Sequence, residues 1–179
     1  MSLHLFEIVP AAEQREAAQS VIAAIAEAAS SVSASVLESQ VTAGHGRVFS
    51  IIEFDGDPAA LGAAVRTGLE AVETAEITGP DEVRLVGAQI EDIRRARGSA
   101  DYLVEWDIPA EIDMETYLTR KKANSPKYAQ VPEVSFLRTY VREDTVKCLC
   151  FYDAPDEETV VRAREAVSTP IDRLHRLDA

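Results

Sequence analysis

The chain has 179 residues, 46% of them hydrophobic, enough to bury a real core in one large domain or in two of roughly 90 residues each. Its 31 acidic residues against 18 basic ones give a formal net charge of -13, a field that repels phosphate backbones and anionic membrane surfaces, so no nucleic acid and no membrane is expected as a partner. No stretch approaches the roughly 20 apolar residues of a membrane span, and "MSLHLFEIVP" lacks the basic start and apolar core of a secretion signal. A cytoplasmic location, where two cysteines stay reduced, is the expectation.

Residues 3–9 read as a strand and 11–29 as an Ala-rich helix with Val21, Ile22 and Ile25 at helical spacing. A hairpin covers about 35–54 and turns at Gly44-His45-Gly46. In "DPAALGAAVRTGLEAVE", Asp57 caps a helix with Pro58 in its first turn, and "EVRLVGA" follows as a strand. The same order then returns. A strand over 101–108 leads to a helix from Asp113 that Pro126 must end or kink, a hairpin over 134–153, a helix from Pro155 and a last strand near 171–177.

The two passes also match in detail. "LHLFEIVPA" pairs with "YLVEWDIPA", and "VLESQVTAGHGRVFSIIEFDGDP" aligns with "FLRTYVREDTVKCLCFYDAPD", placing Leu37 opposite Leu137 and Val41 opposite Val141. Residues 1–97 hold seven Arg and no Lys, whereas 98–179 hold every lysine, which suggests a boundary near Gly98 and Ser99. The prediction is therefore an α+β protein of two tandem ferredoxin-like βαββαβ repeats, 1–97 and 98–179. A sheet with both helices on one side leaves its other face to be covered, and two such faces can cover each other in a pseudo-dimeric α+β barrel with a polar lumen.

Alternation along the strands places candidate residues on faces. Leu37, Val41, Leu137, Val141, Phe49, Ile51, Leu149 and Phe151 are assigned to the helix side, with Phe6, Ile8, Val104 and Trp106. This leaves Glu7, Glu38, Gln40 and Ser50 on the open face of the first half, and Glu105, Arg138, Tyr140, Cys148, Cys150 and Tyr152 on that of the second. On this reading, both thiols share a lumen with a carboxylate, a guanidinium and two phenols. A bridge between the cysteines is disfavoured, because side chains two apart on a strand have Cα atoms about 6.6–6.8 Å apart. As thiolates they would be soft ligands for Ni2+ or another soft divalent metal, with His175 or a carboxylate joining them; as thiols they would be small buried hydrophobes.

His175 falls in the last strand and reads as an edge residue facing solvent; His45, in its turn, and His4, near the terminus, read as solvated. Glu105 is a candidate general base with Arg138 and Tyr140 holding a substrate carboxylate or carbonyl, or else half of a structural ion pair. "RKKANSPK" supplies four cations at a helix end, where they offset the helix dipole or attract an anionic ligand. No nucleophile elbow, phosphate loop or dinucleotide fingerprint is present.

"YLVEWDIPA", "VSFLRTYVREDTVKCLCFYDAPDEETV" and the closing "PIDRL", within residues 101–179, resemble a family of small bacterial ferredoxin-like proteins long catalogued only as a domain of unknown function, one member of which binds nickel and forms dimers. The most specific part is Cys150, four residues before the Ala-Pro that opens the last helix. The resemblance implies a fused version of a dimerising family, with Cys150 and Cys148 carried over as nickel ligands. One departure stands out: relatives carry a histidine in the last helix, and "EETVVRAREAVST" has none.

Three functions follow. The first is a binding protein for a metal ion or small molecule between the two sheets, using Cys148, Cys150, Glu105 and His175. The second is a cofactor-independent isomerase or monooxygenase-like enzyme built on Glu105, Arg138 and Tyr140. The third is a ligand-free structural or interaction protein. A monomeric pseudo-dimer or a homo-oligomer is expected.

Overall fold

The computed structural model describes residues 1–178, which form an α+β fold of two compact units. The first comprises residues 1–83, 90–99 and 178, and the second 84–89 and 100–177.

The first unit contains β1 (Ser2–Pro10), α1 (Arg15–Ser31), β2 (Ser35–Val41), β3 (Val48–Phe54), α2 (Pro58–Gly68), β4 (Thr74–Val86, in this unit as far as Val83) and α3 (Ile90–Ala96). Its strands run antiparallel in the order β2-β3-β1-β4. Helix α1 buries Ala18, Val21, Ile25, Ala28 and Ala29, one stripe at helical spacing, in a core with Leu61 and Val65 of α2 and Phe6, Ile8, Val48 and Ile52 of the sheet. Asp57 caps α2 by accepting a hydrogen bond from the Ala59 amide at 3.0 Å.

Two elements differ from expectation. β4 starts eight residues before "EVRLVGA", because Gly79-Pro80 lies at a register shift opposite Phe6 instead of ending the strand. Gly79 has φ +111, and a side chain there would collide with the Leu5 carbonyl. Helix α3 was unexpected: it spans seven residues and closes where Gly98, at φ +65, donates its amide to the Ile93 carbonyl.

The second unit repeats the plan with β5 (Tyr102–Asp107), α4 (Met114–Asn124), a 3-10 helix over Ser125–Gln130, β6 (Ser135–Arg142), β7 (Lys147–Asp153), α5 (Glu157–Ala166) and β8 (Arg173–Arg176). Its strands run antiparallel in the order β6-β7-β5-β8. Pro126 ends α4 as predicted, and Asp113 and Asp156 cap α4 and α5. The duplication reaches backbone detail. Leu37 and Leu137 each lie at a register shift, and the turn residues His45 and Thr145 have φ 59 and 57 and donate their amides to the carbonyls of Thr42 and Arg142.

The pairing overturns part of the face assignment, because Val41 meets Val48 and Val141 meets Cys148, which reverses the parity across each turn. Cys150 pairs with Val104, Cys148 with Trp106 and Tyr152 with Tyr102, so the two cysteines and Tyr152 point to the helices. Leu149 and Phe151 pair with Glu105 and Leu103 on the opposite face. In the first unit Ser50 pairs with Phe6 on the helix side, and Phe49 and Ile51 oppose Glu7 and Leu5 on the other. Both strands are buried on both faces, which removes the polar alternation that would mark one side. At the bulges, Val36 and Phe136 join the helix-side cores in place of Leu37 and Leu137. The placements of Phe6, Ile8, Val104, Trp106, Val41 and Val141 hold.

Candidate functional site

The residues predicted to share one lumen lie on two faces of the second unit's sheet. On the face turned from the helices, Glu105 is buried and accepts hydrogen bonds from Lys147 Nζ at 2.8 Å and Arg173 Nε at 2.9 Å, with His175 Nε2 2.6 Å from the same carboxylate. Arg173 also holds Asp107, at 2.6 Å and 2.9 Å. Burial pushes the Glu105 carboxyl up, but hydrogen bonds from His175, Lys147 and Arg173 together outweigh it and hold the group far below the usual carboxylate range. A base poised near neutrality needs the opposite shift. Arg138 stacks over the Phe151 ring at 4.6 Å and Tyr140 meets that ring edge-on, while Leu149 occupies the sheet position between Glu105 and Tyr140.

His175 therefore belongs with Glu105 and not with the thiols: it pairs in register with Leu103, on Glu105's face. It is partly buried instead of facing solvent. His45 is partly exposed and lies 3.1 Å from Asp178, whereas His4 is buried with neither ring nitrogen bonded and is not solvated.

The thiols line a small cleft on the helix side, with free space of about 30 Å³, room for one or two water-sized molecules. Strand β7 supplies Cys148 and Cys150, whose sulfurs are 4.0 Å apart. Cys150 Sγ accepts hydrogen bonds from Thr139 Oγ1 at 3.2 Å and from Arg164 Nη1 at 3.3 Å. The same Arg164 nitrogen donates to the Tyr152 hydroxyl at 3.2 Å, and Nη2 to the Pro170 carbonyl at 2.6 Å. Helix α4 contributes Tyr117, Arg120 and Lys121, and Tyr128 follows from the 3-10 helix, its hydroxyl 2.7 Å from that of Tyr152.

These contacts set the charge. The neighbouring Cys148 thiol pulls the Cys150 pKa down; burial opposes this, and Lys121, Arg164 and Thr139 add to the lowering, which makes Cys150 the more acidic thiol of the pair. Cys148 moves up as the protonated partner. Burial raises Tyr117, and it raises Tyr128 to about 12, so both phenols stay protonated. Arg164 is 2% exposed, and among the described residues no carboxylate pairs with it. No carboxylate lines the cleft either.

Residues 102–177 match the family model of the nickel responsive protein SCO4226-like. The match covers the second repeat, including both cysteines. No curated protein matches the chain. Among solved structures, one provisionally described as chlorite dismutase TA0507 is similar, with 12% identity and a TM-score of 0.57 over 100% of this chain and 96% of that one. Another, provisionally described as a monooxygenase, from Fusobacterium nucleatum subsp. nucleatum, has 11% identity and a TM-score of 0.54 over 99% of this chain and 91% of that one. At this identity they establish a shared fold.

The residues present do not fit a nickel ion. Among the described residues no group of three or more His, Cys, Asp and Glu side chains is placed to hold a metal. The thiols supply two donors, His175 is on the other face, and the cleft holds Arg120, Lys121 and Arg164, which repel a desolvated dication.

Arg164, Thr139, Tyr117 and Tyr128 were not singled out in the sequence. Arg164 carried a readable signal: it lies four residues after Val160 and one after Ala163, a charge on the apolar stripe of α5. Thr139 and the tyrosines carried none, since their role depends on a bulge and on the docking of α4.

Proposed function

We propose that the protein is a binding protein whose site is the helix-side cleft of the second repeat, and that it takes a small anion of a few atoms. One observation carries this reading. Three cations line the cleft of a chain with net charge -13, and among the described residues none of Arg120, Lys121 and Arg164 pairs with a carboxylate. Arg120 instead lies over Trp106 at 5.5 Å and Lys121 over Phe136 at 4.5 Å, and Arg164 is buried with its Nε unbonded. A buried guanidinium needs negative charge, and an ionised Cys150 would offset only one of the three.

The free space of about 30 Å³ limits the ligand to a small inorganic anion or a one-carbon carboxylate. Nickel is not the ligand on this reading, and Glu105, Arg138 and Tyr140 are not its site. Nitrate, titrated at constant ionic strength against a bulky organic anion, should raise the thermal midpoint of the protein and leave an Arg120→Ala/Lys121→Ala variant unmoved. An equal rise in both proteins would sink the reading.

A further inference from the structure

The Cys150 sulfur is buried, 1% exposed and packed in the core of its unit, yet polar groups meet it there as they would a reactive nucleophile. A structural cysteine is a neutral group among apolar neighbours. Here two donors converge on one sulfur, the Thr139 hydroxyl at 3.2 Å and the Arg164 guanidinium at 3.3 Å, with the Cys148 sulfur 4.0 Å away. The equivalent position in the first repeat is Ser50, whose hydroxyl is 2.8 Å from that of Ser39, so this pocket does not require sulfur for packing. Arg164 also has a buried Nε with no hydrogen-bond partner.

The cleft also limits what can reach the sulfur. Its free space admits a molecule about the size of two waters. Its wall offers cations and protonated phenols, suited to a reaction in which negative charge develops on a departing oxygen.

We propose that Cys150 is a peroxide-reactive nucleophile, with hydrogen peroxide as its substrate. The Cys150 thiolate attacks one peroxide oxygen; the S–O bond forms as the O–O bond breaks, giving the cysteine sulfenic acid. The other oxygen leaves as hydroxide with the bonding pair and takes a proton from solvent, becoming water. Sulfur is oxidised, peroxide is reduced, and the thiol and peroxide give sulfenic acid and water. Thr139 and Arg164 hold the attacking sulfur, Arg164 and Lys121 stabilise the leaving hydroxide, and Cys148 keeps the proton that would otherwise quench Cys150.

This deepens the reading of the same cleft by naming a substrate class, and it rests on that cleft being the functional site. The test treats reduced, metal-free protein with hydrogen peroxide, traps sulfenic acid with dimedone and locates the adduct by peptide mass, with Cys148→Ser as a separate variant that should react more slowly. Trapping on Cys150 should run about a hundredfold faster than in the same chain unfolded in urea. It should disappear in Cys150→Ser, slow about a hundredfold in Arg164→Met and recover in part in Arg164→Lys. Circular dichroism identifies a variant that has lost its fold, and Thr139→Val, which removes one donor, should slow the reaction without touching Arg164. Folded protein reacting no faster than the urea-unfolded chain overturns the proposal. Nitrate separates the two readings. Slow oxidation with intact nitrate binding overturns the peroxide chemistry alone, and fast oxidation without nitrate binding overturns the anion reading alone.

Discussion

Arg164 donates to the sulfur of Cys150 across 3.3 Å, one helix reaching onto one strand to place a buried cation against a thiol. Removing it should be visible without any ligand. In Arg164→Met the Cys150 thiol loses one of the charges that lower its pKa, so its titration, followed by thiolate ultraviolet absorbance, should move to higher pH. An unchanged titration would mean that Cys148 and Lys121 alone hold the proton balance.

Glu105 makes a different prediction, about acid. Its pKa is lowered in the fold, so its stabilising contribution is fully present above the unfolded value of about 4.3 and is lost as pH falls below that toward the lower folded value. Glu105→Gln should cost on the order of 2–4 kcal/mol near neutral pH, since Lys147 and Arg173 lose their shared anion, and should flatten the fall in stability below about pH 4. Urea melts at several pH values would measure both effects, and a variant as acid-sensitive as the parent would show that the cluster contributes little.

Gly98 is a backbone test. At φ +65 a β-carbon would stand 2.8 Å from the Glu38 β-carbon, so Gly98→Ala should destabilise the protein by about 1–2 kcal/mol or more. A denaturant midpoint that does not move would contradict this conformation.

The donor set predicts a failure to bind. Reduced protein loaded with nickel and desalted should retain no more metal, by elemental analysis, than Cys148→Ser/Cys150→Ser. One equivalent retained only by the parent would require ligands that the cleft does not now present.

What could be read in the sequence followed from local chemistry. Asp57 and Asp113 precede helices they do cap, Pro126 stops α4, and the aligned hairpins turn at matching places. What could not be read depended on partners distant in sequence. "KCLCFY" is apolar on both sides, so its parity is fixed only by pairing with β5, where Val104 and Trp106 already marked the helix side. Carrying the parity of Val141 across the turn failed because Val141 pairs with Cys148, and that one-residue slip moved both thiols from the helix face to the face of Glu105. The short α3 and the Gly79-Pro80 interruption of β4 are respectively too brief and too turn-like for periodicity to reveal.

Fusion of two like halves in one polypeptide also releases them from sharing a sequence. In an assembly of identical subunits, any substitution appears at every copy of a position, so a costly polar group must be tolerated as many times as it is encoded. Here Ser39 and Ser50 keep a hydroxyl pair where Thr139 and Cys150 place a thiol, and Val48 stands where Cys148 does. One half can remain a quiet scaffold while its twin accumulates chemistry, which makes the first repeat a built-in reference for what the second has become.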